Sequence, residues 1–291
     1  MAALTAFFGK TAAYFSLLAL VISSSLVSPP INPGINEKAE GTVRIMSFNI
    51  RCTSVNIHSR EDRVGAVTQA IDAVAPDSLG VQEATPEWMA DLSETLSDYA
   101  WVGVGRDDGM DKGEYSAIFY LKDKYEAAES GTFWLSDTPD VPSRSWSSVF
   151  RRICTWAVLK NKETGEEYLH MNTHFDTSFG PREKSIPLIL EKAARYDIPV
   201  VCTGDFNTAE VSVLYPDMLS GVLSNAKFSA PDTMSALTFN GGFPFKRWGF
   251  KYDYILVNNK AEPRVYRVVT QKFDGMLPSD HYPVYTDVIF K

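Results

Sequence analysis

Six short apolar runs each end beside a polar side chain that can do chemistry. "TVRIMSFNI" closes on Asn49, "DSLGVQE" on Glu83, "EYLHMNTHF" on Asn172 and His174, and "IPVVCTGDFN" on Asp205 and Asn207. "KYDYILV" opens at Asp253, and "PSDHYPVYTDVIF" opens at Asp280 and His281. An Asp or Asn closes any one strand as an ordinary turn residue. Six such stations are better explained by a site, because rigid sheets present functional side chains at strand-end loops. Between the runs lie helices. "SREDRVGAVTQAIDAV" has a capping signal in Ser59 and Asp62, with Val64, Val67, Ile71 and Val74 on one face. "TPEWMADLSETL" has Thr85 as cap and Pro86 in its first turn. A third, "REKSIPLILEKAARY", contains Pro187, which is expected to shift its start. With "YSAIFYL" and "CTWAVLK" added, strands outnumber helices, which predicts a layered α/β sandwich rather than a plain doubly wound sheet.

No internal repeat or break in composition follows residue 42, so residues 42–291 read as one domain. Before it, Thr11 to Val27 is an uncharged stretch around "LLALVI", which makes residues 1–28 a signal peptide or a membrane anchor. Residues 29–41, with Pro29, Pro30 and Pro33, suit an extended linker. Export is therefore expected, to the outside, to a periplasm or to a membrane surface. The formal net charge of −8 argues against a tight non-specific grip on a nucleic-acid backbone and leaves room for carboxylates around a cation. Cys52, Cys154 and Cys202 show no metal-type spacing. Cys202 reads as a core thiol, and a disulfide between two of the three stays open.

The motifs "MSFNIR", "GVQEAT", "MNTHFD", "VCTGDFN", "KYDYILV" and "PSDHYPV", in this order, resemble the endonuclease/exonuclease/phosphatase superfamily of metal-dependent phosphoesterases over residues 42–291. "GVGRDDG", "GEYSAIFY", "GTFWLSDTP" and "RICTWA" further resemble an exported bacterial subgroup. The resemblance implies an α/β four-layer sandwich, two packed mixed β-sheets flanked by helices as in deoxyribonuclease, with the site at one edge. It also implies hydrolysis of phosphoester bonds, a reaction that needs a cation, an activated water and a stabilised leaving oxygen. Mg2+, with Mn2+ as the alternative, prefers hard oxygen ligands. Glu83 is the first candidate, Asn49 is an amide ligand or a close supporting partner, and the resemblance adds Asp280. It makes His281 the general base with Asp253 behind it, the adjacent Asp280 pointing elsewhere by alternation. His174 matches a histidine that bonds a phosphate oxygen, and Glu114 a carboxylate that steadies that histidine. Asp205 and Asn207 would orient the nucleophile or contact phosphate. Asn172 supports substrate binding, and Arg152, or its neighbour Arg151, would clamp phosphate. His170 reads as a packed sheet residue and His58 as a solvent-facing one.

One loop departs from the acidic trend. In "GGFPFKRWGFKYDY", Lys246, Arg247 and Lys251 interleave with aromatic residues including Trp248, a pattern able to hold a base and its phosphate, or a head group. The expected partner is thus a phosphoester: a small molecule, a lipid head group or a single-stranded nucleic acid. Residues 1–28 add membrane association, and no protein partner is indicated. The competing readings are a nuclease proper and a non-catalytic binding module of the same fold. A serine hydrolase is set aside because no GxSxG occurs.

Overall fold

The structure is a computed structural model that describes residues 34–55, 57–242 and 250–291. In chain order its first half runs β1 (Val43–Asn49), α1 (Arg60–Val74), β2 (Ser78–Gln82), α2 (Pro86–Thr95), β3 (Tyr99–Val102), β4 (Ile118–Leu121), β5 (Tyr125–Trp134) and β6 (Ile153–Asn161). The second half runs β7 (Glu167–His174), α3 (Phe179–Ala194), β8 (Val200–Asp205), α4 (Tyr215–Leu219), β9 (Ser224–Asn225), α5 (Ala226–Ser229), β10 (Asp232–Met234), β11 (Asp253–Val257), β12 (Ala261–Val268) and β13 (Val284–Phe290). They form two mixed sheets, ordered β10-β12-β13-β1-β2-β4-β3 and β5-β6-β7-β8-β11-β9.

Strand alternation divides the apolar side chains among three cores. Met46, Phe48, Leu79 and Val81 face outward from the first sheet onto Val67, Ile71 and Val74 of α1 and Trp88 and Leu92 of α2. Ile45, Tyr168, Val201, Ile255 and Val284 fill the space between the sheets. Leu169, Met171, Val200, Cys202 and Leu256 face outward from the second sheet onto Ile186, Ile189 and Ala193 of α3. Both sheets thus bury both faces, and the four-layer sandwich follows.

The helix signals act as local chemistry requires. Ser59 accepts from the Asp62 amide and Asp62 accepts from the Ser59 amide, so the start of α1 is a closed capping box. The buried stripe of α1 is Arg63, Ala66, Val67, Ala70, Ile71 and Val74, and thus contains an arginine. Helix α3 begins at Phe179 and runs through Pro187. That proline is exposed, so the carbonyl it leaves without an N–H donor lies on the solvent side. All three cysteines are free thiols. Residues 35–38 of the expected linker touch the domain: Ile35 packs on the first core, the Asn36 amide donates to Tyr285, and Lys38 pairs with Asp77. The expected leader lies outside the described residues. Among these no helix is long and apolar enough to cross a membrane.

A polar seam crosses the otherwise apolar middle layer. Tyr168 donates to Ser78, Ser78 lies 2.9 Å from His170 Nδ1, and His170 Nε2 lies 3.0 Å from Thr203 Oγ1. The Thr203 hydroxyl and Gln82 Nε2 both donate to Asn172 Oδ1. The sheets approach so closely here that a Cβ on Gly80 would collide with Thr203 and Asn172. His170 is the packed residue its sequence context indicates. Asn172, expected at the substrate, is fully buried, and its amide nitrogen donates to the Val81 and Ala117 carbonyls. All its polar capacity is used within the seam, so it joins the two sheets and has none left for substrate.

Candidate active site

Pairing directions bring the strand ends together. Strands β1 and β2 are parallel, with Asn49 opposite Gln82 and Glu83 next in the chain. Strands β7 and β8 are parallel, with His174 opposite Asp205, and antiparallel β11 sets Asp253 opposite the same Asp205. One edge of the sandwich therefore receives the ends of four strands and the start of a fifth. Asn49 closes the gap between the sheets, its Nδ2 donating to Glu83 Oε1 at 3.0 Å and to Asp205 Oδ2 at 2.9 Å. Its Oδ1 accepts from the Arg51 amide, so the hydrogen-bond network orients the oxygen away from the carboxylates. Arg51, Glu83 and Asn207 all hold positive φ as non-glycine residues, backbone strain of the kind that gathers at functional sites.

His281 enters on the loop before β13. Its Nδ1 lies 2.9 Å from Asp253 Oδ2, and its Nε2 faces Asp205 Oδ2 at 3.6 Å. The ring of Phe239 covers it at 5.0 Å between centroids. Burial opposes charge on this imidazole, but Asp253 and Asp205 outweigh it and raise His281 to about 10. Asp280 turns the other way, with Oδ2 3.6 Å from the Arg51 guanidinium. Burial also opposes charge on Glu83. Even so, His174, the Asn49 amide, the Cys52 N–H and His281 hold it at about 2. His174 is itself pushed well below its usual range by burial and then by Arg152, so its ring is neutral. A neutral ring gives Glu83 no full ion pair, which leaves the two amide donors and His281 as its main supports.

On the other side of His174 the expected partner is missing. Glu114 places both oxygens on Arg106, at 2.6 and 3.0 Å, in a bidentate pair. The steadying role assigned to Glu114 is therefore corrected: its charge serves Arg106. Instead, Asn207 Nδ2 approaches His174 Nε2 at 3.1 Å, which puts the ring proton on Nδ1. That Nδ1 is buried without an acceptor, and so are Nε and Nη1 of Arg152. His174 and Arg152 line one narrow cleft with Arg106, Glu114 and Ser116, and the half-exposed Phe150 ring lies over both guanidiniums. The Asn207 carbonyl is held by Arg182.

Two settings for a cation emerge. The ligand atoms of Asp205, Asp253 and His281 lie within 4.8 Å of one another. That group includes the 2.9 Å His281–Asp253 contact, which is a hydrogen-bond length. The expected set of Glu83, Asn49 and Asp280 divides: Glu83 is an ionised, buried oxygen donor, Asn49 turns its nitrogen inward, and Asp280 faces the competing Arg51 charge. The oxygen-rich donors suit a hard divalent cation.

Residues 46–281 match the model of the Endonuclease/Exonuclease/phosphatase family. The chain belongs to this family. Its members are phosphoester hydrolases, typically dependent on a divalent metal. The fold is similar to a mannosyl-6-phosphatase of Bacteroides thetaiotaomicron VPI-5482, with TM-score 0.81 and 34% identity, covering 85% of this chain and 100% of that one. A family protein from Bacteroides vulgatus gives TM-score 0.80 and 34% identity, covering 86% and 99%. An uncharacterized protein, L388 of Acanthamoeba polyphaga mimivirus, is 29% identical over 252 residues, 79% of this chain and 92% of its own.

Of the residues expected at the site, Asn49, Glu83, His174, Asp205, Asn207, Asp253 and His281 meet at one edge, with Arg152 bordering them. Lys246, Arg247 and Trp248 lie outside the described residues. The base of their loop is tied beside the site, since the amides of Asn240 and Gly241 donate to the Asp280 carbonyl. Arg106 was missed in the sequence, although its place eight residues before Glu114 in "GRDDGMDKGE" was a usable signal.

Proposed function

We propose that this protein hydrolyses small phosphate monoesters of the sugar-phosphate class with the help of a divalent cation, Mg2+ or Mn2+. The observation that carries the reading is the set of buried donors without acceptors, Arg152 Nε and Nη1 and His174 Nδ1, in the cleft that adjoins the site across the His174 ring. Buried donors of this kind call for an anion, and a guanidinium matches a phosphate in geometry as well as charge. The likeness to a mannosyl-6-phosphatase and the net charge of −8 favour a small ester over a polyanionic strand.

Glu83, with Asp205 or Asp280, would hold the cation. When bound, it supplies positive charge that neutralises phosphate oxygens and draws His281 back toward its ordinary range. Asp253 fixes the His281 ring through Nδ1, leaving Nε2 to take a proton from water. Asn207 and Asp205 face the same position from β8 and its following turn. Arg152 and His174 bind the oxygens that carry the developing charge.

The test is phosphate release from mannose 6-phosphate, alongside cleavage of a single-stranded oligonucleotide, with Mg2+, with Mn2+ and with EDTA. The sugar phosphate should be hydrolysed with either metal and not with EDTA, and Glu83→Gln should lose at least about 10²-fold. Cleavage of the oligonucleotide with the sugar phosphate untouched would make the protein a nuclease. Turnover unaffected by EDTA would remove the cation.

A further inference from the structure

Arg63 is an arginine in the apolar stripe of α1, with no exposed surface. Its partners are backbone carbonyls rather than a carboxylate. Nη1 donates to Ile50 O and to Pro278 O, both at 2.7 Å, and Nη2 donates to Arg51 O at 2.8 Å and to Thr53 O. Trp88 of α2 lies against the guanidinium, with 5.2 Å to the ring centroid, and its indole N–H donates to the same Arg51 carbonyl at 3.1 Å. A buried charge is costly unless hydrogen-bonded, and here four carbonyl dipoles do that.

The carbonyls come from two loops far apart in sequence. Ile50, Arg51 and Thr53 follow β1, in the loop whose Cys52 amide holds Glu83 Oε2 and whose Arg51 amide sets the Asn49 side chain. Pro278 opens the loop that carries Asp280 and His281. The next residue, Ser279, donates to Asn49 O at 2.6 Å and accepts from the His281 amide at 3.1 Å. One guanidinium thus joins the loop that orients Glu83 to the loop that delivers His281.

We propose that Arg63 is a positioning residue: through four carbonyls it sets the distance between the Glu83 side of the active site and His281. A lysine cannot replace it, because a single ammonium lacks the planar fork that reaches both loops at once. Arg63 has no exposed surface and acts only through the loops it holds.

The test compares Arg63→Lys with Arg44→Lys in the full chain. Arg44 is an equally buried arginine in the first half of β1, paired with Asp287 away from the site. Two signals are read below the melting temperature of each variant: kcat and KM for sugar-phosphate hydrolysis, and the downfield NMR resonance of the His281 Nδ1 proton hydrogen-bonded to Asp253. Arg63→Lys should lower kcat roughly 10- to 100-fold, the usual effect of losing a group that orients site residues. KM should stay within a few-fold, and the His281 resonance should shift or broaden. Arg44→Lys should leave both signals unchanged. If Arg63→Lys does not fold, Trp88→Phe, which removes one donor to the same carbonyl, should move both signals in the same direction. Parental kcat and resonance in the Lys variant would overturn the proposal, as would equal losses in both variants. The kinetic half rests on the hydrolase reading. An inactive parent would sink that reading and leave the resonance alone to decide the brace.

Discussion

Among the residues, His170 has a titration that stands apart from the active site. Burial alone lowers it to about 3, and it is held neutral between Ser78 and Thr203. The unfolded chain binds this proton near pH 6.5 and the folded one does not until about 3, so stability falls as pH drops through that window. The slope for one such group approaches about 1.4 kcal/mol per pH unit. Urea unfolding at pH 7 and pH 5 should show His170→Gln losing less on acidification than the parent does, whatever its starting stability; equal losses would mean the ring is not held neutral. Glu83, Asp205 and His281 could be placed from the sequence because each is a polar residue at the end of an apolar run. Glu114 and Asn172 were misplaced because their partners are tertiary: Arg106 captures the first, and the second is enclosed between the sheets. Arg63 left a signal in sequence, a charge three residues before Ala66 and four before Val67 on the buried stripe of α1.

At the level of elements, the close approach of β2 to β7 and β8 rests on Gly80. Gly80→Ala drives a methyl into the Thr203 and Asn172 side chains, so chemical denaturation should show a loss of about 1–3 kcal/mol, the range for overfilling a packed interior. No loss would show that the seam can open at that point. Strand and helix identities were largely legible, since alternation and caps are local: the Ser59–Asp62 box and the Thr85 cap both form. The boundary of α3 was not. Pro187 is expected to shift the helix start, yet α3 begins at Phe179 and carries the proline on its solvent-facing side. Which strands would neighbour one another was not legible either, because β1 pairs with β13 from the far end of the chain.

For the whole molecule, two sheets stacked with helices outside bring together side chains from Asn49 to His281 that no local rule connects. The family resemblance supplied that assembly, and the pairing of Asp205 with both His174 and Asp253 gives its geometry. On the proposed function, this shared edge does hydrolysis through His281 held by Asp253. The most direct measurement is steady-state turnover of mannose 6-phosphate with Mg2+ by the parent, His281→Gln and Asp253→Asn, each checked for unchanged melting. In both variants kcat should fall by at least about 10²-fold, as expected when a general base or its orienting partner is lost, with KM within a few-fold. A His281→Gln protein that is folded and turns over at the parental rate would contradict the proposed function.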